Sequence, residues 1–185
     1  MKKSPFTLIM IITGVIVIGG IITLIYVSAD SSSDTNEFAI GTNVGDIAPD
    51  FRIQVIDGQE ISLSDFRGEK ALLITSTASW CPTCIVEANN ISPVYAEYSD
   101  SVEFLSVSVD PTDDRLKLES FSANTNSPWF YTEPNLSGVT DMIIDYRLTR
   151  FEITYVINRE GIIIFKDKNI TTEKTLTEIM QGLSI

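Results

Sequence analysis

Histidine is absent from this chain, and cysteine occurs only twice in 185 residues. Without histidine there can be no Ser-His or Cys-His nucleophilic pair, no His-ligated zinc, no haem held by His and none of the usual copper sites. Chemistry is left to Cys, carboxylates, Lys, Tyr and the backbone. Basic residues are scarce too, 13 Lys and Arg against 25 Asp and Glu. The formal net charge of −12 argues against nucleic acid as a partner, because phosphate neutralisation needs clustered Lys and Arg. A structural zinc site built from Cys and His needs two more ligands than one chain supplies, so neither a metal nor another cofactor is expected.

The charge that is present is unevenly spread. Lys2 and Lys3 precede Phe6 to Val27, 22 residues without a charge. At 1.5 Å per residue this run makes about 33 Å of helix, enough for a hydrocarbon core of roughly 30 Å. Residues 6–27 are therefore expected to be a transmembrane anchor, with 1–5 as a cytoplasmic N-terminus by the positive-inside rule. The competing reading is a signal peptide cleaved near Val27-Ser28-Ala29, although its apolar region would be unusually long. Either reading exports the remainder, which holds 11 basic residues against 25 acidic ones, a charge of −14. Residues 28–45, polar and small, suit a flexible tether. The folded body is expected from 46 to 185, long enough to bury a core without staples.

Within the body, Phe51–Ile56 and Ile61–Leu63 flank Asp57-Gly58, a hairpin signal. Ala71–Thr77 is an apolar strand-length run, and Val102–Val109 is a second strand that Asp110-Pro111 stops. Between them, Pro82–Tyr98 carries helical spacing through Ile85, Ala88, Ile91 and Tyr95. Thr112–Phe121 and Asp141–Tyr146 read as short helices, and Phe151–Ile157 with Ile162–Phe165 as a second hairpin. A helix capped by Thr172 closes the chain through Leu183. This order is α/β with a mixed central sheet.

The two cysteines form one motif, Cys81-Pro82-Thr83-Cys84, directly after the Ala71–Thr77 strand. Cys81 lies at the N-terminus of the next helix, where backbone N–H groups and the helix dipole stabilise an anion, and the thiolate is the reactive form of cysteine. Cys81 is expected to attack, and Cys84, one turn on, to resolve the mixed disulfide. Pro82 at the first helical position costs nothing, because its missing N–H would be unpaired there. A structural disulfide or half of a zinc site are the competing readings. A two-residue loop gains little from being closed, and the further ligands are missing. Trp80 offers an aromatic ledge for a partner peptide or a half-buried packing residue. Glu87, three residues past Cys84, shares its helix face, and partial burial would raise its pKa towards that of a usable base. The alternative is a solvated helix glutamate. Asp113-Asp114 reads as solvated surface.

Gly45–Leu63, Phe66-Arg67-Gly68, LLITSTASWCPTCIVE and YVINREG together resemble the thioredoxin-fold redoxins of the AhpC/TSA and TlpA-like group. The resemblance runs from about Gly45 to the C-terminus, and Trp80-Cys81-Pro82-Thr83-Cys84 is its most specific element. It implies a thioredoxin-like α/β fold with a mixed central sheet and an extra N-terminal hairpin, and a membrane-tethered thiol-disulfide oxidoreductase acting through a Cys81–Cys84 redox disulfide. Glu87 stands where TlpA-like proteins place an acid. Three positions depart from the pattern. Glu152 occupies the place of the family's cis-proline, and the peptide there is expected to be trans, since a cis bond without proline costs about 3 kcal/mol. Thr75 replaces thioredoxin's buried Asp, and Asn89 replaces its helix proline.

The resemblance implies a substrate-facing set of Trp80, Pro82, Thr83, Glu152 and Ile153, with Cys81, Cys84 and Glu87 as the catalytic set. The expected partners are exported protein thiols or disulfides, together with a membrane electron donor. One alternative is a peroxiredoxin-like thiol peroxidase, whose Thr-x-x-Cys signature is broken because Ala78, not Thr77, stands three residues before Cys81. The other is a non-catalytic tethered binding module with a structural disulfide. A Sco-type copper chaperone fits poorly, since that family uses a CxxxC and a His.

Overall fold

The computed structural model describes residues 39–183. The candidate span at 6–27 and its N-terminal flank at 1–5 lie outside them. Among the described residues, no helix is long and apolar enough to cross a membrane. Part of the expected tether is not free: Gly45 N–H donates to Ile163 O at 2.8 Å and Lys166 Nζ to Thr42 O at 2.6 Å. Residues 39–45 thus already belong to the body, because backbone polar groups there find partners on the second hairpin.

In chain order the elements are β1 (Arg52–Gln54), β2 (Glu60–Ser62), α1 (Leu63–Phe66), β3 (Ala71–Thr77), α2 (Pro82–Tyr98) and β4 (Val102–Ser108). They continue with α3 (Arg115–Thr125), β5 (Phe130–Thr132), α4 (Val139–Asp145), β6 (Thr154–Ile157), β7 (Ile163–Asp167) and α5 (Glu173–Leu183). β1 and β2 pair as an antiparallel hairpin, and a five-stranded sheet runs β5-β4-β3-β6-β7. β3 pairs parallel with β4 and antiparallel with β6, so the sheet is mixed and β3 is central. All seven residues of β3 are buried, as a strand covered on both faces must be.

Alternation divides the core in two. Leu72 and Ile74 of β3, Leu105 and Val107 of β4, and Tyr155 and Ile157 of β6 face the first hairpin and α4. Ala71, Leu73, Val102, Phe104 and Val156 face α2, α3 and α5. The period-2 pleat sends neighbours to opposite faces, so one apolar run serves two layers.

Several boundaries differ from expectation. α3 starts at Arg115 because the Asp114 side chain caps it by accepting from Lys117 N–H at 3.0 Å. It ends at Asn126, which takes a left-handed conformation. β5, three residues between Pro128 and Pro134, and the single-turn α1 are too short for a periodic signal. The buried stripe of α2 is Cys84, Glu87, Ala88, Ile91, Val94 and Tyr98, which leaves Ile85 41% exposed. Thr172 does cap α5, accepting from Thr175 N–H at 3.2 Å.

Candidate active site

The C-terminal end of β3 delivers the chain through Ala78-Ser79-Trp80 to the N-terminus of α2. Asp113, expected on the surface, is buried and holds this passage: it accepts from Ser79 N–H at 2.9 Å, from Ser79 Oγ at 2.5 Å and from Ser108 Oγ at 2.6 Å. A carboxylate with three donors can be buried because each supplies part of the hydration it gives up.

Cys81 is the N-cap of α2, with Pro82 at the first helical position. It is joined to Cys84 in a disulfide, with Cα atoms 5.2 Å apart. Cys84 N–H donates to Cys81 Sγ at 3.2 Å, and Thr83 Oγ1 lies 3.2 Å from the same sulfur. The N-cap position therefore directs donors at Cys81 and not at Cys84, and a thiolate at Cys81 would keep them. Pro82 and Thr83 are exposed, whereas both cysteines are 2% exposed.

Glu152 faces this pair. Its Oε1 lies 3.7 Å from Cys81 Sγ and 3.9 Å from Cys84 Sγ. Disulfide sulfurs carry no hydrogen, so these are contacts that become thiol donors only on reduction. The peptide bonds of the described residues are trans, as expected at Glu152, which takes a left-handed φ of 57°. For a residue with a Cβ this conformation costs on the order of 1 kcal/mol. The surrounding bonds hold it. Ser76 O accepts from Glu152 N–H at 3.0 Å, and Ser76 Oγ donates to Arg150 O at 2.8 Å while accepting from Ile153 N–H at 2.9 Å. Ser76 is a positioning residue that sequence reading missed. Its only signal was a run of hydroxyls, Thr75-Ser76-Thr77, in an apolar strand.

Ile153 must be moved from the substrate-facing set to the core. It is 2% exposed, and both its N–H and C=O are taken by Ser76. Trp80, by contrast, is 59% exposed. Its Nε1 donates to Asp110 Oδ2 at 2.5 Å and its ring meets Phe151 edge-on at 5.5 Å. A groove of about 400 Å³ beside it is lined by Ile85, Leu116 and Phe121.

Glu87 is 2% exposed, so it is not a solvated helix residue. Oε1 accepts from Thr154 Oγ1 at 2.9 Å and Oε2 from Thr171 N–H at 2.7 Å. Burial pushes its carboxyl up to about 7 against the pull of those hydrogen bonds. Thr154 Oγ1 also lies 3.2 Å from Thr75 Oγ1. Thr75 thus fills the place of a buried acid with a hydroxyl in contact with the Glu87 network.

For metal chemistry, the ligand atoms of Cys81, Cys84 and Glu152 lie within 4.8 Å of one another. Glu152 is a third donor that a count of Cys and His leaves out. A reduced dithiol beside it makes an incomplete set of soft and hard donors.

Residues 44–171 match the model of the AhpC/TSA family. Thioredoxin-like protein YneN of Bacillus subtilis is 28% identical over 146 residues, 79% of this chain and 82% of that protein. Thiol-disulfide oxidoreductase ResA of Oceanobacillus iheyensis is 31% identical over 123 residues, 64% of this chain and 61% of that protein. The crystal structure of the thioredoxin domain of a thiol-disulfide oxidoreductase from Bacteroides vulgatus aligns with a TM-score of 0.64. It covers 76% of this chain and 98% of that one at 20% identity, and so speaks for the fold. The match across most of the chain and the mixed sheet that presents Cys81 and Cys84 at a helix start lead to one conclusion: the chain belongs to the AhpC/TSA family, as a thioredoxin-fold redoxin of the TlpA and ResA type.

Proposed function

We propose that this chain is a thiol-disulfide oxidoreductase, held outside the cytoplasm by the apolar segment at 6–27 and exchanging disulfides with exported proteins. The observation that carries the reading is the Cys81–Cys84 disulfide at the start of α2, with the Cys84 N–H aimed at Cys81 Sγ. In the reduced protein the Cys81 thiolate attacks one sulfur of a substrate disulfide, forming a mixed disulfide and expelling one substrate thiolate. Cys84, as thiolate, then attacks Cys81 Sγ and expels the second. Two electrons pass to the substrate, the two protons of the dithiol end on its two sulfurs, and the protein is left oxidised. A membrane electron donor restores the dithiol.

A partner reaches the sulfurs once the Thr83 and Glu152 side chains, both in contact with them, rotate aside. The apolar rim of Trp80, Ile85 and Leu116, each more than a third exposed, supports docking of a peptide beside them. Glu87 fastens α2 to β6 and to the segment entering α5. Its carboxyl can carry a proton near neutral pH one turn from Cys84. The site geometry speaks against the peroxidase alternative, since Thr77 is buried in β3 and, among the described residues, no arginine hydrogen-bonds either sulfur.

The test is a trap. Cys84→Ser in the full chain is expected to accumulate mixed disulfides at Cys81 with exported proteins, and Cys81→Ser to abolish disulfide reduction altogether. A Cys81–Cys84 reduction potential below about −300 mV, together with an empty trap, would mark the bond as structural and overturn the proposal.

A further inference from the structure

In a body with 11 basic and 25 acidic residues, cations should be dispersed and paired. Five ion pairs occur among the described residues, and they use Arg52, Lys70, Arg115, Lys117 and Lys174. Four other cations, Arg147, Arg150, Lys166 and Lys168, line one cavity of about 430 Å³, whose remaining walls are Asn43, Thr149, Ile153 and Tyr155. Among the described residues, no carboxylate lines it. Four like charges gathered without a counter-ion repel one another, and the arrangement is out of keeping with the acidic surface around it.

The cavity is also built. Lys166 is fixed at its wall, with Nζ donating to Thr42 O at 2.6 Å and standing 5.0 Å from the centre of the Tyr155 ring. Its ammonium keeps two further donors. Arg147 is held in place by the end of α4: its left-handed φ of 53° closes the helix, with its N–H donating to Ile144 O at 3.1 Å and Leu148 N–H to Ile143 O at 2.9 Å. Two guanidinium forks with two ammonium groups suit the tetrahedral, multiply charged oxygens of a phosphate group.

We propose that this cavity is a binding site for a phosphate group, a second site separate from the disulfide. The group comes either from a free phosphorylated or inorganic anion or from an anionic lipid headgroup. The chain leading to the cavity wall makes the lipid source accessible: 11 residues, 28–38, separate the end of the apolar run from the described body. This source rests on the proposed anchoring by 6–27, and 11 residues span at most about 40 Å even when fully extended. The site adjoins the redox loop, because the Arg150 carbonyl and the Ile153 backbone both bond to Ser76.

Amine footprinting of the full chain tests this, with acetylation of each lysine followed by mass spectrometry. Lys174, which pairs with Glu178 on α5, serves as internal control. In one arm the chain in detergent is labelled with inorganic phosphate or with chloride at equal ionic strength. In the other it is labelled in vesicles of phosphatidylcholine alone or with phosphatidylglycerol added. The expected result is severalfold slower acetylation of Lys166 and Lys168, but not of Lys174, in at least one arm, with the protection lost in Arg150→Gln. Protection by phosphate identifies a free anion as sufficient, and protection only in anionic vesicles identifies the headgroup. Unchanged labelling of Lys166 and Lys168 in both arms overturns the proposal, as does protection shared equally by Lys174. Should Arg150→Gln fail to fold, Arg147→Gln takes its place with the same expected loss.

Discussion

Two glutamates attend the cysteine pair, and the protein treats them differently. Glu87 lies one turn beyond Cys84 on α2, is buried, and has both oxygens occupied by Thr154 and Thr171. Glu152 is 71 residues from Cys81, sits on an irregular loop and is only partly covered, yet its carboxylate touches both sulfurs. Nearness along a helix gave Glu87 the same face as Cys84 without giving it the contact. The contact came from a loop that the sheet brings round to β3, in a conformation that Ser76 pins. A carboxylate tied to neighbouring elements is a means of holding a helix, whereas one facing a disulfide bears on its chemistry.

This contrast can be broken by experiment. The largest effect is expected at Glu87. Its carboxyl is raised from 4.5 to about 7 in the folded protein, so between those values the folded state keeps a proton that the unfolded chain has released. The stability it contributes is intact below the lower value and is lost as the pH rises through the upper one, about 3 kcal/mol in all. Urea unfolding across this range should show the decline, and Glu87→Gln should flatten it. A slope that survives the substitution would mean that Glu87 is not the titrating group.

Ser76→Ala comes next. It leaves the Arg150 carbonyl and the Ile153 N–H without their partner and is expected to cost about 2 kcal/mol in chemical denaturation. Native stability in that variant would show that the loop carrying Glu152 is held by something else. The smallest effect is kinetic. Glu152→Gln removes a negative charge beside the thiolate, so iodoacetamide should alkylate the reduced protein severalfold faster at neutral pH. An unchanged rate would remove Glu152 from the chemistry and leave it a mere neighbour of the sulfurs.

How much of this could be read in advance depended on the range of the interaction. β3 and α2 were legible to the residue, because β3 opens on an apolar run, Ala71 to Ile74, as a strand buried on both faces does, and α2 opens on a Pro that suits a first helical turn. The capping of α5 by Thr172 was legible for the same reason. β5 and α1 were not, since three or four residues carry no period. Asp113 looked like one half of a solvated acidic pair until three hydroxyl and backbone donors were placed around it. Ile153 looked like part of a docking wall until its backbone was found bonded to Ser76.

The sequence by itself settled the motif, the helix that presents it, the α/β order and the exclusion of histidine chemistry. All of these depend on residue identity and on spacings of a few residues, which covalent geometry translates directly into local structure. Tertiary structure decided which carboxylate meets the sulfurs, which serine pins the loop, and that four of the few cations share one cavity. Each of those joins groups carried by separate elements, set by strand pairing and core packing, for which no local pattern leaves a mark.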